Sequence, residues 1–202
     1  CRVFGVSTGR SADITAKNIE ETPSGLSFCI DDTIFSTNIA GTHNVTNILL
    51  AIAAAKHCDI SMEHIQESLK GFQNLHGTFE ITSIKGITVL NDTYNSGPQS
   101  ALAGIHWAQK QEHPRKILVL APLLELGMET EHWHKTILEN ASTVFDRIYV
   151  LEPHMLSKVQ PRPENIFLLN SLQETQHAKQ GDLLVCIGRM PQTTINGFLQ
   201  IS

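Results

Sequence analysis

The sequence contains no apolar run near the length of about 18 residues that a membrane-spanning helix needs. It also has no glycine-rich phosphate loop, neither G-x-x-x-x-G-K-[ST] nor G-x-G-x-x-G. Basic residues are not in excess, since 15 Lys and Arg stand against 20 Asp and Glu, for a formal net charge of −5. The composition therefore gives no reason to expect a membrane or a nucleic acid as a partner.

The four cysteines form no CxxC pair. Cys29, Cys58 and Cys186 lie in apolar runs, which predicts buried free thiols and suits a reducing cytoplasm. The chain starts at Cys1 without a Met, and residues 2–6 have the composition of a strand already under way. We therefore expect a C-terminal fragment of a longer protein.

The first 76 residues are predicted to form strands followed by two helices. Short apolar runs separated by turn residues indicate a β-meander over 1–40, closing the edge of a larger sheet. Apolar spacing then predicts a helix over 43–56. Ser61 is the expected N-cap of a second helix that ends at Gly71. A domain boundary is expected in the connector over 71–77.

Residues 77–202 show strands alternating with helices, which predicts an α/β domain with a mainly parallel, Rossmann-like sheet. The predicted strands cover 79–84, 87–90, 116–120, 147–151, 165–169 and 182–187. The predicted helices cover 98–111, 129–144, 171–179 and 191–199. Ligands bind at the carboxyl ends of such strands, where 91–98 and 121–127 are expected to lie.

Two stretches place polar side chains at predicted helix starts. Residues 41–47 read Gly-Thr-His-Asn-Val-Thr-Asn, and residues 91–100 read Asn-Asp-Thr-Tyr-Asn-Ser-Gly-Pro-Gln-Ser. Unpaired backbone N–H groups point outward at a helix N-terminus and favour negative charge. Both stretches are therefore candidate sites for a nucleotide or another anion.

Five side chains in these stretches are candidate ligand contacts. His43 and Asn47 lie one helical turn apart, so they could reach one nucleotide; alternatively, His43 caps the helix and Asn47 bonds within a core. Asp92 follows an apolar strand, where it either accepts from ribose hydroxyls or forms a capping Asx turn. Tyr94 and Asn95 either contact a substrate or pack and cap.

The run of acids and histidines over 129–134 also suggests a metal site. His132 and His134 are two residues apart, which places them on different helix faces and argues against a shared ion. We therefore predict an exposed helix start without metal ligands. Glu125 is a candidate for orienting the preceding loop. No side chain is assigned a catalytic role.

Three stretches, in matching order and spacing, resemble the Mur ligases of peptidoglycan synthesis: residues 41–55, 91–100 and 123–127, the last followed by His132. The resemblance covers about residues 1–145. The Asp-Thr-Tyr-Asn run over 92–95 is most similar to the branch that adds D-alanyl-D-alanine to a UDP-N-acetylmuramoyl-tripeptide. It argues against a branch with another amino-acid substrate, such as glutamate.

The resemblance implies a fold of three domains, of which 1–76 would be the tail of the central ATP-binding domain and 77–202 the C-terminal domain. It implies ATP-driven amide bond formation in the cytoplasm, serving cell-wall synthesis and hence cell shape and division. The carboxylate of the UDP-MurNAc-peptide is phosphorylated, the amine of D-Ala-D-Ala attacks the acyl phosphate, and Mg²⁺ balances phosphate charge.

The resemblance also implies a role for each candidate residue. His43 and Asn47 would lie at ATP, with Asn47 near the adenine. Asp92 would hold the ribose of the nucleotide. Tyr94 and Asn95 would lie near the incoming dipeptide.

The chain departs from the family pattern at several positions. Thr78 stands where Arg is usual, Gly97-Pro98-Gln99 where Asn-Pro-Asp is common, and Ala121-Pro122 where Gly-Asp is usual. The family's P-loop and carbamoylated lysine lie upstream, so this chain by itself is expected neither to hydrolyse ATP nor to ligate substrate. An alternative is therefore a diverged, non-catalytic binding or scaffold module. Apolar surface left by missing strands could also let the chain self-associate.

Overall fold

The computed structural model describes residues 3–22, 25–72, 74–172 and 175–200. The chain divides into two compact units, Cys1–Asn74 (unit 1) and Leu75–Ser202 (unit 2). This division lies two residues before the expected boundary between 76 and 77. No described helix is both long enough and apolar enough to cross a membrane.

The described residues of unit 1 form a small sheet and two helices: β1 (Val6–Ser7), β2 (Ile14–Thr22), β3 (Gly25–Ile30), β4 (Thr33–Thr37), α1 (Asn44–His57) and α2 (Met62–Lys70). Strands β2 to β4 form the predicted antiparallel meander, and β1 pairs in parallel with β2. Among the described residues, the four strands make a sheet of their own, and the place of this meander at the edge of a larger sheet stays a prediction. Helix α1 packs on this sheet, with Ile48 and Leu49 in one cluster with Phe28 and Phe35.

The helix boundaries of unit 1 follow local signals. The Ser61 hydroxyl accepts a hydrogen bond from the backbone N–H of His64, which confirms the predicted cap of α2. Cys58 is exposed, contrary to the prediction of a buried thiol, because it lies at the C-cap of α1 beyond the helix face that packs on the sheet. Cys29 is half-buried and Cys186 is buried, whereas Cys1 lies outside the described residues.

The described residues of unit 2 form six strands and three α-helices: β5 (Glu80–Ile84), β6 (Ile87–Asp92), α3 (Pro98–Lys110), β7 (Lys116–Leu120), α4 (Thr130–Ser142), β8 (Arg147–Val150), β9 (Ile166–Leu168), β10 (Leu183–Ile187) and α5 (Gln192–Leu199). The strand order is β5-β6-β10-β7-β8-β9. All neighbours are parallel except the β5–β6 hairpin. This confirms the predicted mainly parallel α/β fold.

Two turns in unit 2 show why the sequence folds this way locally. Lys85 and Gly86 both have positive φ, 52° and 73°, which is the backbone twist that a two-residue hairpin turn needs. Pro98 occupies the first turn of α3, where its missing N–H has no cost. Helix α4 starts one residue later than predicted, because a 3-10 turn covers Gly127–Glu129.

The predicted helix over 171–179 is wrong for residues 175–179, which form a bend followed by irregular chain. Its backbone groups bond to distant partners. The Tyr149 hydroxyl accepts from Gln176 N, and Arg115 donates to His177 O. Ala178 N donates to Phe198 O. These long-range bonds replace the i to i+4 bonds of a helix, and residues 173–174 lie outside the description.

Candidate functional site

The carboxyl ends of three adjacent strands meet at one edge of the unit 2 sheet. Ile187, at the end of β10, is in register with Asp92 of β6 on one side and Leu120 of β7 on the other. Gly188 N donates to Asp92 O at 3.1 Å, and Ala121 N donates to Ile187 O at 2.9 Å. The loops after these strands therefore lie side by side, at the edge where parallel α/β sheets bind ligands.

Gly188 is required at this edge by its close approach to β7. It has φ +83°, and an added Cβ would lie 2.6 Å from Ala121 O. Arg189 follows it as an exposed cation. Neither residue was among the candidates predicted from the sequence. The sequence feature that could have indicated them is a Gly-Arg pair directly after a buried five-residue strand.

Asp92 is buried at this edge, with 2% of its surface exposed. Its Oδ1 accepts from Phe79 N at 3.0 Å, and its Oδ2 accepts from Ser100 Oγ at 2.6 Å. The carboxylate thus joins the chain before β5 to the first turn of α3. A carboxylate has about four lone-pair sites, so two further sites remain for a ligand that reaches it.

The loop after Asp92 presents the other predicted residues to solvent. Tyr94 is 68% exposed, and its backbone N donates to Gly77 O at 2.8 Å. Asn95 is also exposed. Ser96 is buried, yet its Oγ has no hydrogen-bond partner among the described residues. It directly precedes Gly97, the N-cap of α3, where no side chain caps the helix.

His134 anchors the loop after β7. It is 1% exposed, and its Nε2 accepts from Leu123 N at 3.1 Å. The expected exposed helix start is therefore wrong at His134, although His132 and Glu131 are exposed. Burial, together with the charge of nearby His154, lowers the pKa of His134, so the ring is held neutral. Glu125, in the same loop, has φ +62° and is exposed.

The candidate stretch of unit 1 is held by its own hydrogen bonds. Gly41 has φ +88°, and its N–H donates to Glu21 Oε1 at 2.8 Å. Asn44 donates from Nδ2 to Ala40 O at 2.8 Å, which fixes the chain entering α1. The start of this helix is therefore rigidly tied to β2.

His43 and Asn47 sit at the start of α1 in unlike surroundings. His43 is at the N-cap position, but its side chain makes no capping bond. Asn47 is exposed and donates to Asn44 Oδ1 at 3.2 Å, so it does not bond within a core. Its carboxamide oxygen has no partner among the described residues. The structure brings these two residues together in unit 1, and Asp92, Tyr94 and Asn95 together in unit 2.

The family described as "Mur ligase, glutamate ligase domain" matches residues 78–190, more than half of the chain. The UDP-N-acetylmuramoyl-tripeptide–D-alanyl-D-alanine ligase of Bacillus subtilis is 32% identical over 139 residues, 67% of this chain and 30% of that protein. The UDP-N-acetylmuramate–L-alanine ligase of Clostridium kluyveri is 36% identical over 126 residues, 59% of this chain and 27% of that protein.

Solved structures share the fold. MurF from Acinetobacter baumannii superimposes with a TM-score of 0.76 at 20% identity, covering 98% of this chain and 46% of that one. MurF ligase from Thermotoga maritima, solved in complex with ADP, has a TM-score of 0.74 at 18% identity, covering 96% and 47%. The chain thus spans about a third of the curated relatives and under half of these structures.

These matches place the chain in the Mur ligase family, as a protein that contains its C-terminal domain. The family resemblance carried by residues 41–55 and 91–100 is thereby confirmed. Both the D-alanyl-D-alanine-adding and the L-alanine-adding ligases are among its relatives.

Proposed function

We propose that the chain is the C-terminal part of an ATP-dependent ligase that joins D-alanyl-D-alanine to a UDP-N-acetylmuramoyl-tripeptide. The observation that carries this proposal is the 32% identity to the B. subtilis enzyme of that name over two thirds of the chain. The exposed Tyr94 and Asn95, on a loop at the carboxyl edge of the sheet, support it.

In the proposed reaction, the full-length protein binds ATP and Mg²⁺, phosphorylates the peptide carboxylate, and lets the dipeptide amine displace the phosphate. His43 and Asn47 are proposed to contact the nucleotide, with the amide of Asn47 suited to the hydrogen-bonding edge of adenine. Among the described residues, no three His, Cys, Asp or Glu side chains converge as metal ligands.

Asp92 is proposed to contact the ribose and to align α3. Asp92 is buried, and its carboxylate already accepts two hydrogen bonds. A ribose hydroxyl would therefore donate to one of the two remaining lone-pair sites of that carboxylate. Tyr94 and Asn95 are proposed to contact the incoming dipeptide. Asn95 offers both donors and an acceptor, which suits a peptide bond.

The direct test is a ligation assay on the full-length protein. We expect phosphate release and a product of the correct mass only when ATP, UDP-MurNAc-tripeptide and D-Ala-D-Ala are all present. Calorimetry should show weaker ATP binding in Asn47→Ala and Asp92→Ala, with Glu164→Ala, an exposed carboxylate of unit 2, as the control. Full ATP affinity in both variants would remove the proposed nucleotide roles.

A second candidate is addition of L-alanine to UDP-N-acetylmuramate, favoured by the 36% identity to the C. kluyveri ligase. The same assay decides between them, because only this reaction proceeds with L-alanine and the peptide-free nucleotide sugar. A protein that binds neither ATP nor either substrate would be the non-catalytic module that the departures at Thr78 and Pro122 suggest.

A further inference from the structure

A cavity of about 490 Å³ opens beside β8 and β9, next to the irregular segment that replaces the predicted crossover helix. Its volume lies in the range of roughly 300–1,000 Å³ that is usual for small-molecule sites. It contains none of the residues assigned to the proposed ligase reaction. It is lined by side chains that include Arg147, Tyr149, Arg162, Phe167, Leu169 and Asn170.

Two arginines in this cavity are held in fixed orientations. The Arg147 guanidinium lies 4.8 Å from the centroid of the Phe167 ring, within cation–π distance. Arg162 donates from Nε to Ile166 O at 2.9 Å and from Nη2 to the same oxygen. Each guanidinium retains N–H donors on its other nitrogens for a ligand.

Neither arginine is neutralised within the part of the chain that the structure describes. The ion pairs found there involve other residues, and Arg115, by contrast, is paired with Asp182. The cavity therefore concentrates two positive charges on a chain whose formal net charge is −5. Such a pair of preoriented guanidiniums matches a phosphate or carboxylate.

The cavity also has an apolar wall. Phe167 and Leu169 are only partly buried and pack on the cluster that contains Tyr149 and Phe198. The Tyr149 hydroxyl accepts from Gln176 N at 2.9 Å, and its own hydrogen has no acceptor among the described residues. An organic ligand would thus meet an aromatic surface on one side and hydrogen-bond donors on the other.

We propose that this cavity is a binding site for a small organic phosphate. Its phosphomonoester, which carries a charge of about −1.5 to −2 at pH 7, lies between Arg147 and Arg162. Its apolar or aromatic body rests on the wall formed by Leu169 and the part of Phe167 that Arg147 does not cover. A phosphomonoester dianion is favoured over a singly charged carboxylate, because neither Arg147 nor Arg162 forms an ion pair among the described residues.

The test is calorimetric titration of the nucleotide-free full-length protein with phenyl phosphate. We expect saturable binding that is tighter than that of inorganic phosphate, which has no organic body, and of benzoate, which has a single charge. Benzyl alcohol, which is neutral, should not bind. Because neither ATP nor ligation enters this measurement, its outcome is independent of the proposed ligase function.

Variants locate the binding. Arg147→Gln and Arg162→Gln should each weaken phenyl phosphate binding about tenfold or more, as expected for loss of a charge-assisted hydrogen bond. Arg147→Lys, which keeps the charge but not the planar fork, should give a smaller loss and controls for misfolding of the Gln variants. Lys110→Gln, an exposed cation at the end of α3, is the matched control and should bind within twofold of wild type.

The proposal is overturned if phenyl phosphate does not bind saturably, or if Lys110→Gln weakens it as much as the arginine variants. Equal affinity for inorganic phosphate would refute the proposed contacts between the organic part of the ligand and the apolar wall. Equal affinity for benzoate would refute the preference for a phosphate.

Discussion

Asp92 shows how one carboxylate can hold two parts of a domain together. Its two oxygens accept from the backbone of Phe79 and from the side chain of Ser100, which are 13 and 8 residues away in sequence. The hydrogen bond from the Phe79 N–H to the carboxylate is buried, so loss of this acceptor would leave the N–H unsatisfied away from water. The sequence predicted Asp92 at the carboxyl edge of the sheet, but both of its protein partners come from outside the strand.

Replacing Asp92 by Ala should lower the free energy of unfolding of the protein by about 1–3 kcal/mol, because the buried Phe79 N–H loses its acceptor. Asp92→Asn, which keeps one acceptor, should cost less. Urea unfolding measures both, with the exposed Glu164→Ala as the control. An Asp92→Ala protein as stable as wild type would show that the two bonds contribute nothing.

His134 is a residue whose role depends on its protonation. Only a neutral ring offers Nε2 as an acceptor for Leu123 N–H, and burial together with His154 lowers its pKa in the folded state. In the unfolded chain, His takes up a proton near pH 6.5. Its contribution to stability is therefore complete above about pH 6.5 and declines as the pH falls from there toward the lowered folded-state pKa.

We accordingly expect stability to fall on acidification from pH 7 to pH 5.5, by up to about 1.4 kcal/mol per pH unit from this residue. His134→Gln, which cannot titrate but keeps an acceptor, should show a shallower dependence. His132→Gln, at an exposed position of the same helix, should keep the wild-type slope. The midpoint of urea unfolding, measured as a function of pH, tests this prediction. Identical slopes of stability against pH for wild type and His134→Gln would contradict it.

At the scale of elements, sequence patterns correctly predicted those helices and strands whose form depends on their own residues. The continuous apolar run of β7 predicts a strand buried on both faces, and four of its five residues are buried. Ser61 and Pro98 marked the starts of α2 and α3, because caps act within one turn.

The helix prediction over 171–179 is wrong for residues 175–179 because the hydrogen bonds of this segment are long-range. Arg115 donates to Gln176 Oε1 at 3.2 Å and to His177 O at 2.8 Å, and it pairs with Asp182. Asp182 in turn accepts from Lys179 N at 2.7 Å. This network holds the segment across one end of the sheet, and nothing in its own sequence indicates it.

Arg115→Ala should therefore cost about 3–5 kcal/mol of unfolding free energy, since it leaves Asp182 as a buried, unpaired charge with 7% of its side chain exposed. Lys135→Ala provides a comparison, because its pair with Glu139 spans 3.7 Å and is exposed. That variant should cost at most about 1 kcal/mol. Thermal or urea unfolding measures both, and equal small losses would show that the Arg115 network is dispensable.

At the scale of the whole molecule, the chain consists of two units, each with its own sheet. The change from a meander to alternating strands and helices predicted this division, since each pattern belongs to a different sheet architecture. The matched family covers residues 78–190, within unit 2. The finer assignment to the D-alanyl-D-alanine step depends on the ligation assay.

The sequence by itself determined most strands, the main helices and the edge of the sheet where Asp92 and Tyr94 lie, because periodicity, caps and turn residues act within a few positions. The family followed from the resemblance of residues 41–55, 91–100 and 123–127 to known motifs. Only the tertiary structure decided that His134 is buried, that Cys58 is exposed and that 175–179 is irregular. It alone brought Arg147 and Arg162 to one cavity. These properties depend on partners far away in sequence, and the burial of a side chain is set by what packs over it.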